Sequence, residues 1–310
     1  VFPPAMALSN FDSPLRKAAF RAIAKEAAYA GINTILAPVL DINTNPDNPI
    51  IATRAFGEDP KTVSKAGAEM IKEFRRFGIA SCGKHFPGHG DTAVDSHIGL
   101  PVINKPLSDI EACELAPFKK AITAGVDMIM LGHLSVPSLD PSGLPVSLSK
   151  KAVDYLRRKM GFKGIAITDA MNMGGLSGLN APEAAFLSLK AGVDIILHPI
   201  DPIKLDKALR KSTLRLNPSR LMRFRKGLIT CSIDMPDWNA HERLSIDITE
   251  KSIQVKGQIK PLKKPFLLIL NDDKKKKGGL FINEMSHRFP DLKSKTVSSE
   301  SPSFRVPAGY

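Results

Sequence analysis

The sequence predicts an α/β fold built on a parallel sheet with helices packed over it. Two observations lead there. Five short apolar runs of strand length alternate with five stretches of helical periodicity, and residues able to do chemistry gather just after the apolar runs. In a parallel sheet the carboxyl ends of the strands share one edge, so such residues meet on one face. A third observation sets the scale: 310 residues with 43% apolar content can bury a sizeable core, in one large or two modest domains.

The strand-like runs cover 33–40, 78–82, 126–131, 164–168 and 193–198. Helical patterning is expected over 14–30, 60–77, 107–124, 150–160 and 181–191. Periodicity alone leaves a barrel and a doubly wound sheet both open. Segment 203–230 reads as basic helices closing this region, residues 234–240 as a linker, and 241–255 as the start of a second unit with PFLLIL (265–270) as one of its buried strands. The expected division is therefore 1–230 and 231–310. The apolar runs are interrupted by Asp and fall far short of the ~20 residues that a membrane-spanning helix needs.

The densest chemistry lies in GKHFPGHGDTAVDSHIGLP, 83–101, which follows the second strand and is too polar and Gly-rich for a core element. Asp95 stands two positions before His97, a spacing that lets a carboxylate orient an imidazole, fix its tautomer and raise its basicity. Lys84 and His85 sit at the strand end, where they can hold hydroxyls of a polar ligand, and Gly88 and Gly90 allow sharp turns. In GIAITDAMNM, 164–173, Asp169 ends a buried strand; a nucleophilic carboxylate and a helix cap are both open readings there. The strand ending at Asp41 runs into an Asn- and Pro-rich loop presenting Arg54, which can pair with an oxygen-rich ligand or bridge to Glu58 or Asp59. His133, after the third run, faces the same choice between ligand and structure.

Together KHFPGHGDTAVDSHIGLP, ITDAMNM and TRAFGEDP resemble glycoside hydrolase family 3, in its bacterial β-N-acetylglucosaminidase branch, over roughly residues 1–200. The resemblance implies a TIM-type (β/α)8 barrel followed by part of a second α/β domain. It also implies a retaining exo-acting glycosidase that removes terminal N-acetylglucosamine from cell-wall-derived glycans without a cofactor. By this resemblance Asp169 is the nucleophile, His97 the acid/base and Asp95 its partner. Arg54, Lys84 and His85 hold the sugar ring, with His133 and Met171 as further substrate contacts. The D-x-E-G-G-R motif that ends an early strand in the family is absent, and Val1–Leu8 resembles the segment just after it. The barrel is accordingly expected without its first one or two strands.

A net charge of +13 suggests nucleic acid until it is mapped: 23 Lys and Arg against 12 Asp and Glu lie from Pro199 onward, while the first 198 residues are nearly neutral. The run 274–277 has no interleaved aromatics, so a solvated loop and no nucleic-acid partner are expected. Cys82, Cys113 and Cys231 are too scattered for a disulfide framework or a zinc site. A metal-dependent hydrolase using His85, His89, Asp91, Asp95 and His97 is the rival from residue chemistry, but this Gly-rich stretch lacks helical ligand spacing, and no metal is expected. A β-glucosidase of the same family and a non-catalytic sugar-binding fragment are the two further readings.

Overall fold

A computed structural model describes residues 2–92, 99–176, 179–214, 216–228 and 233–253, with the backbones of two further strands at 266–270 and 293–297. Asp95 and His97 lie outside the described residues, as does Cys231. Two compact units divide the chain, Val1–Ile253 and Gln254–Tyr310.

The first unit opens with a short helix α1 (Ala5–Ser9) and the long α2 (Ser13–Tyr29), whose N-terminus is set by Asp12 accepting the Leu15 N–H and by Pro14 in the first turn. Strand β1 (Thr34–Ile35) follows. Helix α3 (Pro60–Arg76) begins in the same manner as α2, with Asp59 accepting from Thr62 N and Pro60 at its head. A buried ion pair, Arg16 to Glu69 at 2.7 Å, ties α2 to α3, and Phe20, Val63, Ala66 and Phe74 pack between them. Strand β2 (Ala80–Phe86), helices α4 (Leu107–Ala112) and α5 (Ala116–Ala124), and strand β3 (Met128–Leu131) come next. Helix α6 (Lys150–Asp154) continues into one π-helical turn, Tyr155–Lys159, before strand β4 (Ile165–Thr168). Helices α7 (Ala181–Ala191), α8 (Pro202–Lys211), α9 (Ser219–Gly227) and α10 (Trp238–Ser252) complete the unit.

All four strands are parallel and lie in chain order, β1-β2-β3-β4, with registers such as Cys82 opposite Met128 and Met128 opposite Ile165. Beyond β4 a bridge from Ile167 to Ile195 adds the fifth expected strand as a single contact. Successive strands that always add on the same side, with no reversal of order, follow barrel winding; a doubly wound sheet reverses at a switch point. Both sheet faces are buried, so alternate residues divide between two cores. Cys82, Met128, Met130, Ile165 and Ile167 form the inner cluster, while Ile129, Leu131 and Ala166 join Phe86 and Phe118 beneath the helices.

Three expectations shift. Strand β2 runs four residues beyond Cys82, because Lys84 N donates to Pro38 O at 3.1 Å and Lys84 O accepts from Leu40 N at 2.6 Å, so polar side chains do not end the ladder. The helix expected over 107–124 breaks at 113–115: Pro117 has no N–H to donate inside a continuous helix and instead stands in the first turn of a new one. The 234–255 region, read as linker and second unit, contains α10, which packs on the first unit. His241 Nδ1 meets Glu26 Oε1 at 2.7 Å, and Ile248 is fully buried in the cluster around Phe20.

In the second unit, β5 (Phe266–Leu270) pairs in parallel with β6 (Lys293–Val297), from Phe266 opposite Lys293 to Leu270 opposite Val297. The PFLLIL strand is where the sequence put it. No described helix is long and apolar enough to cross a membrane.

Candidate active site

Four chain segments deliver polar groups to the carboxyl ends of the strands. Asp41 follows the Val39–Lys84 bridge, Lys84 and His85 end β2, His133 lies two residues past β3, and Asp169 directly follows β4. Asp169 extends the alternate row of Ile165 and Ile167, which faces inward, and Lys84 lies within the field of Asp169 and Asp41.

Asp41 is the hub. Fully buried, its Oδ1 accepts the backbone N–H groups of His85 (3.0 Å) and His89 (2.7 Å), while Oδ2 lies 2.7 Å from His85 Nδ1. Burial pushes the Asp41 carboxyl up, but the charge and hydrogen bonds of His85, together with the charge of His89, more than offset this and hold it below the usual carboxylate range. On the far side of the same ring, His85 Nε2 stands 3.9 Å from Asp169 Oδ2. Asp169 keeps its side chain 15% exposed, and its Oδ1 accepts the Ala170 N–H at 2.8 Å. Its backbone N–H donates to Leu131 O, which fixes the residue against the end of β3.

Lys84 is half-buried and, among the described residues, its ammonium has no hydrogen-bonded or ion-paired partner. Burial and the guanidinium of Arg54 pull its ammonium below the ordinary lysine range, against the attraction of Asp169 and Asp41. A partly desolvated, unpaired cation beside two carboxylates is suited to hold an oxygen of a ligand. Arg54 stands exposed on a 3-10 turn, Ala52–Arg54, with Nη1 donating to Ile50 O at 3.0 Å. It forms no ion pair with Glu58 or Asp59, and Asp59 caps α3 instead.

His133 is fully buried with both nitrogens engaged, Nδ1 to Ser147 Oγ at 2.7 Å and Nε2 to Ala170 O at 3.1 Å. Because a carbonyl only accepts, Nε2 carries the proton and Nδ1 accepts from the serine; burial keeps the ring's pKa below the ordinary value. The ring thus grips the peptide that follows Asp169 and offers no free nitrogen. Met171 is 4% exposed and packs with Leu148, Leu176, Ala184, Ala185 and Leu205. It also lines a mostly apolar cavity of about 170 Å³ with Pro182, Pro199 and Ile200. Its N–H donates to Leu197 O, so it too fastens the chain after Asp169.

The stretch from His89 to Thr92 is laced to the loop that follows Asp41. Asn48 Nδ2 donates to the carbonyls of His89 and Thr92 at 2.8 and 2.9 Å, and its Oδ1 accepts from Ile50 and Ile51. Asp91 meets Lys105 Nζ at 2.9 Å, and the same ammonium meets Glu114 at 2.8 Å. Gly88 has φ +133°, a backbone region that residues bearing a Cβ rarely adopt. Gly90 is there for a different reason: a Cβ would overlap the Ile42 carbonyl. Backbone cannot yield as a side-chain tip can, so Gly90→Ala is expected to cost roughly 1–3 kcal/mol or more of stability. Thermal unfolding of the variant measures it, and an unchanged Tm would show that the two segments are not pressed together.

Neither Asp41 nor Asn48 stands out as a site residue in the sequence; the one sign is that Asp41, like Asp169, ends a strand. Cys82 is excluded as a nucleophile, because burial pushes its thiol up to about 12. Among the described residues no group of three or more His, Cys, Asp or Glu could hold a metal ion. His85 Nδ1, His89 Nδ1 and Asp91 are engaged by Asp41, Thr92 and Lys105.

Residues 1–223 match the family model for the glycosyl hydrolase family 3 N terminal domain. The chain is 41% identical over 192 residues to a protein named beta-hexosaminidase A from Pseudoalteromonas piscicida, covering 58% of this chain and 32% of that one. It is 35% identical over 207 residues to a beta-hexosaminidase of Neisseria meningitidis serogroup C, covering 66% and 56% respectively. The chain thus spans about a third to a half of the length of these relatives. Among solved structures, a family 3 β-N-acetylglucosaminidase from Paenibacillus sp. FPU-7 superposes with a TM-score of 0.78 at 27% identity, over 98% of this chain and 64% of that one. The parallel sheet is accordingly part of a TIM-type α/β barrel.

Proposed function

Since the chain belongs to glycosyl hydrolase family 3, we propose that it is the catalytic part of a retaining exo-β-N-acetylglucosaminidase acting on cell-wall-derived glycans. The observation that carries the reading is Asp169: a part-exposed carboxylate at the end of β4, facing His85 and within the field of Lys84.

In this reading the Asp169 carboxylate attacks the anomeric carbon as the bond to the leaving oxygen breaks, giving a covalent glycosyl-enzyme. His97, oriented by Asp95, gives its proton to that oxygen and becomes neutral. It then takes a proton from the water that attacks the anomeric carbon, and the bond to Asp169 breaks with net retention. Lys84, Arg54 and His85 bind hydroxyls or the acetamido group of the sugar. His133 and Met171 enter as residues that fix the chain beside Asp169 instead of contacting the sugar. Asp41 is unsuited to be the second carboxylate of a paired scheme, because it is fully buried and all its hydrogen bonds serve the ionised form.

Hydrolysis of an aryl N-acetyl-β-glucosaminide measured beside the aryl β-glucoside tests the substrate class. The N-acetyl substrate is expected to be preferred by at least about 100-fold, a margin that a hydrogen-bonded acetamido group supplies. Preference for the glucoside would favour a β-glucosidase, and binding of N-acetylglucosamine without turnover of either would favour a sugar-binding role.

A further inference from the structure

Among the described residues the Asp41 carboxylate makes three hydrogen bonds, one of them to a side chain. The two to backbone N–H groups fix the strand end and the turn after it; the third, at 2.7 Å, falls on His85 Nδ1. A carboxylate that already accepts two backbone N–H groups faces the ring as an acceptor, so Nδ1 carries the hydrogen. In the neutral ring Nε2 is then bare, and its 3.9 Å from Asp169 Oδ2 is too long for a hydrogen bond. Two acceptors therefore stand side by side. Among the described residues, His89 meets this ring edge to face at 6.2 Å, and His133 lies within its electrostatic reach.

We propose that Asp41 is a positioning residue that keeps the His85 proton on Nδ1, away from Asp169, so that the Asp169 oxygen and the bare Nε2 both face the substrate unoccupied. The opposite tautomer would aim an N–H at Asp169 Oδ2. Moving by about an ångström it would hydrogen-bond the carboxylate, stabilising it in the free enzyme and weakening it as a nucleophile. The catalytic consequence rests on the reading of Asp169 as nucleophile; the assignment of the proton does not.

Asn at position 41 makes the distinction, since its Oδ1 can still accept from the two backbone groups while its amide donates to Nδ1 and drives the proton to Nε2. The experiment has two arms. Long-range 1H–15N spectra of the imidazoles, with His85 assigned by its loss in His85→Gln, are expected to show the proton on Nδ1 in the unaltered chain and on Nε2 in Asp41→Asn. A proton on Nε2, or on both nitrogens, in the unaltered chain overturns the proposal, and that spectrum needs no variant of Asp41 to fold. An unmoved proton in a folded Asp41→Asn overturns it as well.

The second arm is a double-mutant cycle on kcat/KM. Asp41→Asn is expected to cost at least about 100-fold when His85 is present, and under about 3-fold in the His85→Gln background, where there is no ring left to orient. Equal losses in both backgrounds would mean that Asp41 supports only the backbone, and would refute the route through His85. An unaltered chain that turns over no glycoside would count against the reading of the function, while the spectra would still decide where the proton lies.

Discussion

Asp169→Asn is expected to lower kcat/KM on an aryl N-acetyl-β-glucosaminide by about 10⁴-fold or more while the protein remains folded. The reason for the survival of the fold is local: Asp169 is held through its backbone N–H to Leu131 O, and an Asn Oδ1 can still accept from Ala170 N. What is lost is the negative oxygen near His85 Nε2, the atom that would form the bond to the anomeric carbon. An amide in its place has neither the charge to stabilise a developing oxocarbenium ion nor the lone-pair availability to trap it. A loss of only a few-fold, with Tm unchanged, would assign Asp169 to structure.

The second large effect concerns His97, and its pattern matters more than its size. His97→Ala is expected to slow hydrolysis of substrates with poor leaving groups by about 10²–10⁴-fold, since these need the proton as the bond breaks. Activated aryl glycosides, whose leaving oxygen carries its own negative charge, should lose far less in the glycosylation step. A plot of log kcat/KM against leaving-group pKa would become steeper in the variant. Equal slowing across the series would remove His97 from the role of acid. The expectation comes from the Asp-Ser-His spacing and the family pattern, as 95–97 lie outside the described residues.

Much of the barrel is legible in the sequence because its strands bury both faces. MIML and IAIT are continuous apolar runs with no competing helical period, and they appear within two residues of where the sequence suggests. Helix starts are legible at Asp12 and Asp59, each a capping carboxylate followed within two residues by proline. The end of β2 is not, since Lys84 and His85 look like loop residues and are kept in the strand by partners on the Asp41 segment, 44 residues earlier in the case of His85. The break before α5 could be read from Pro117 alone. At the site, the sequence points to the residue types that carry chemistry, and the structure brings Lys84, His85 and Asp169 to one strand edge. Sequence cannot reveal which of two similar carboxylates faces solvent. Asp41 and Asp169 both end strands, and only the packing around them separates a fully buried anchor from a part-exposed carboxylate. Nor can it show that His133 spends both its nitrogens on Ser147 and Ala170, because those partners lie 14 and 37 residues away.

The most direct test of Asp169 as nucleophile is to trap the glycosyl-enzyme. A fluorinated N-acetylglucosaminide whose adduct hydrolyses slowly is incubated with the chain, the protein is digested, and the labelled peptide is sequenced by mass spectrometry. One sugar per chain, attached to Asp169, is the expected result. A label on any other carboxylate, or turnover of ordinary substrate with no adduct under these conditions, would contradict it.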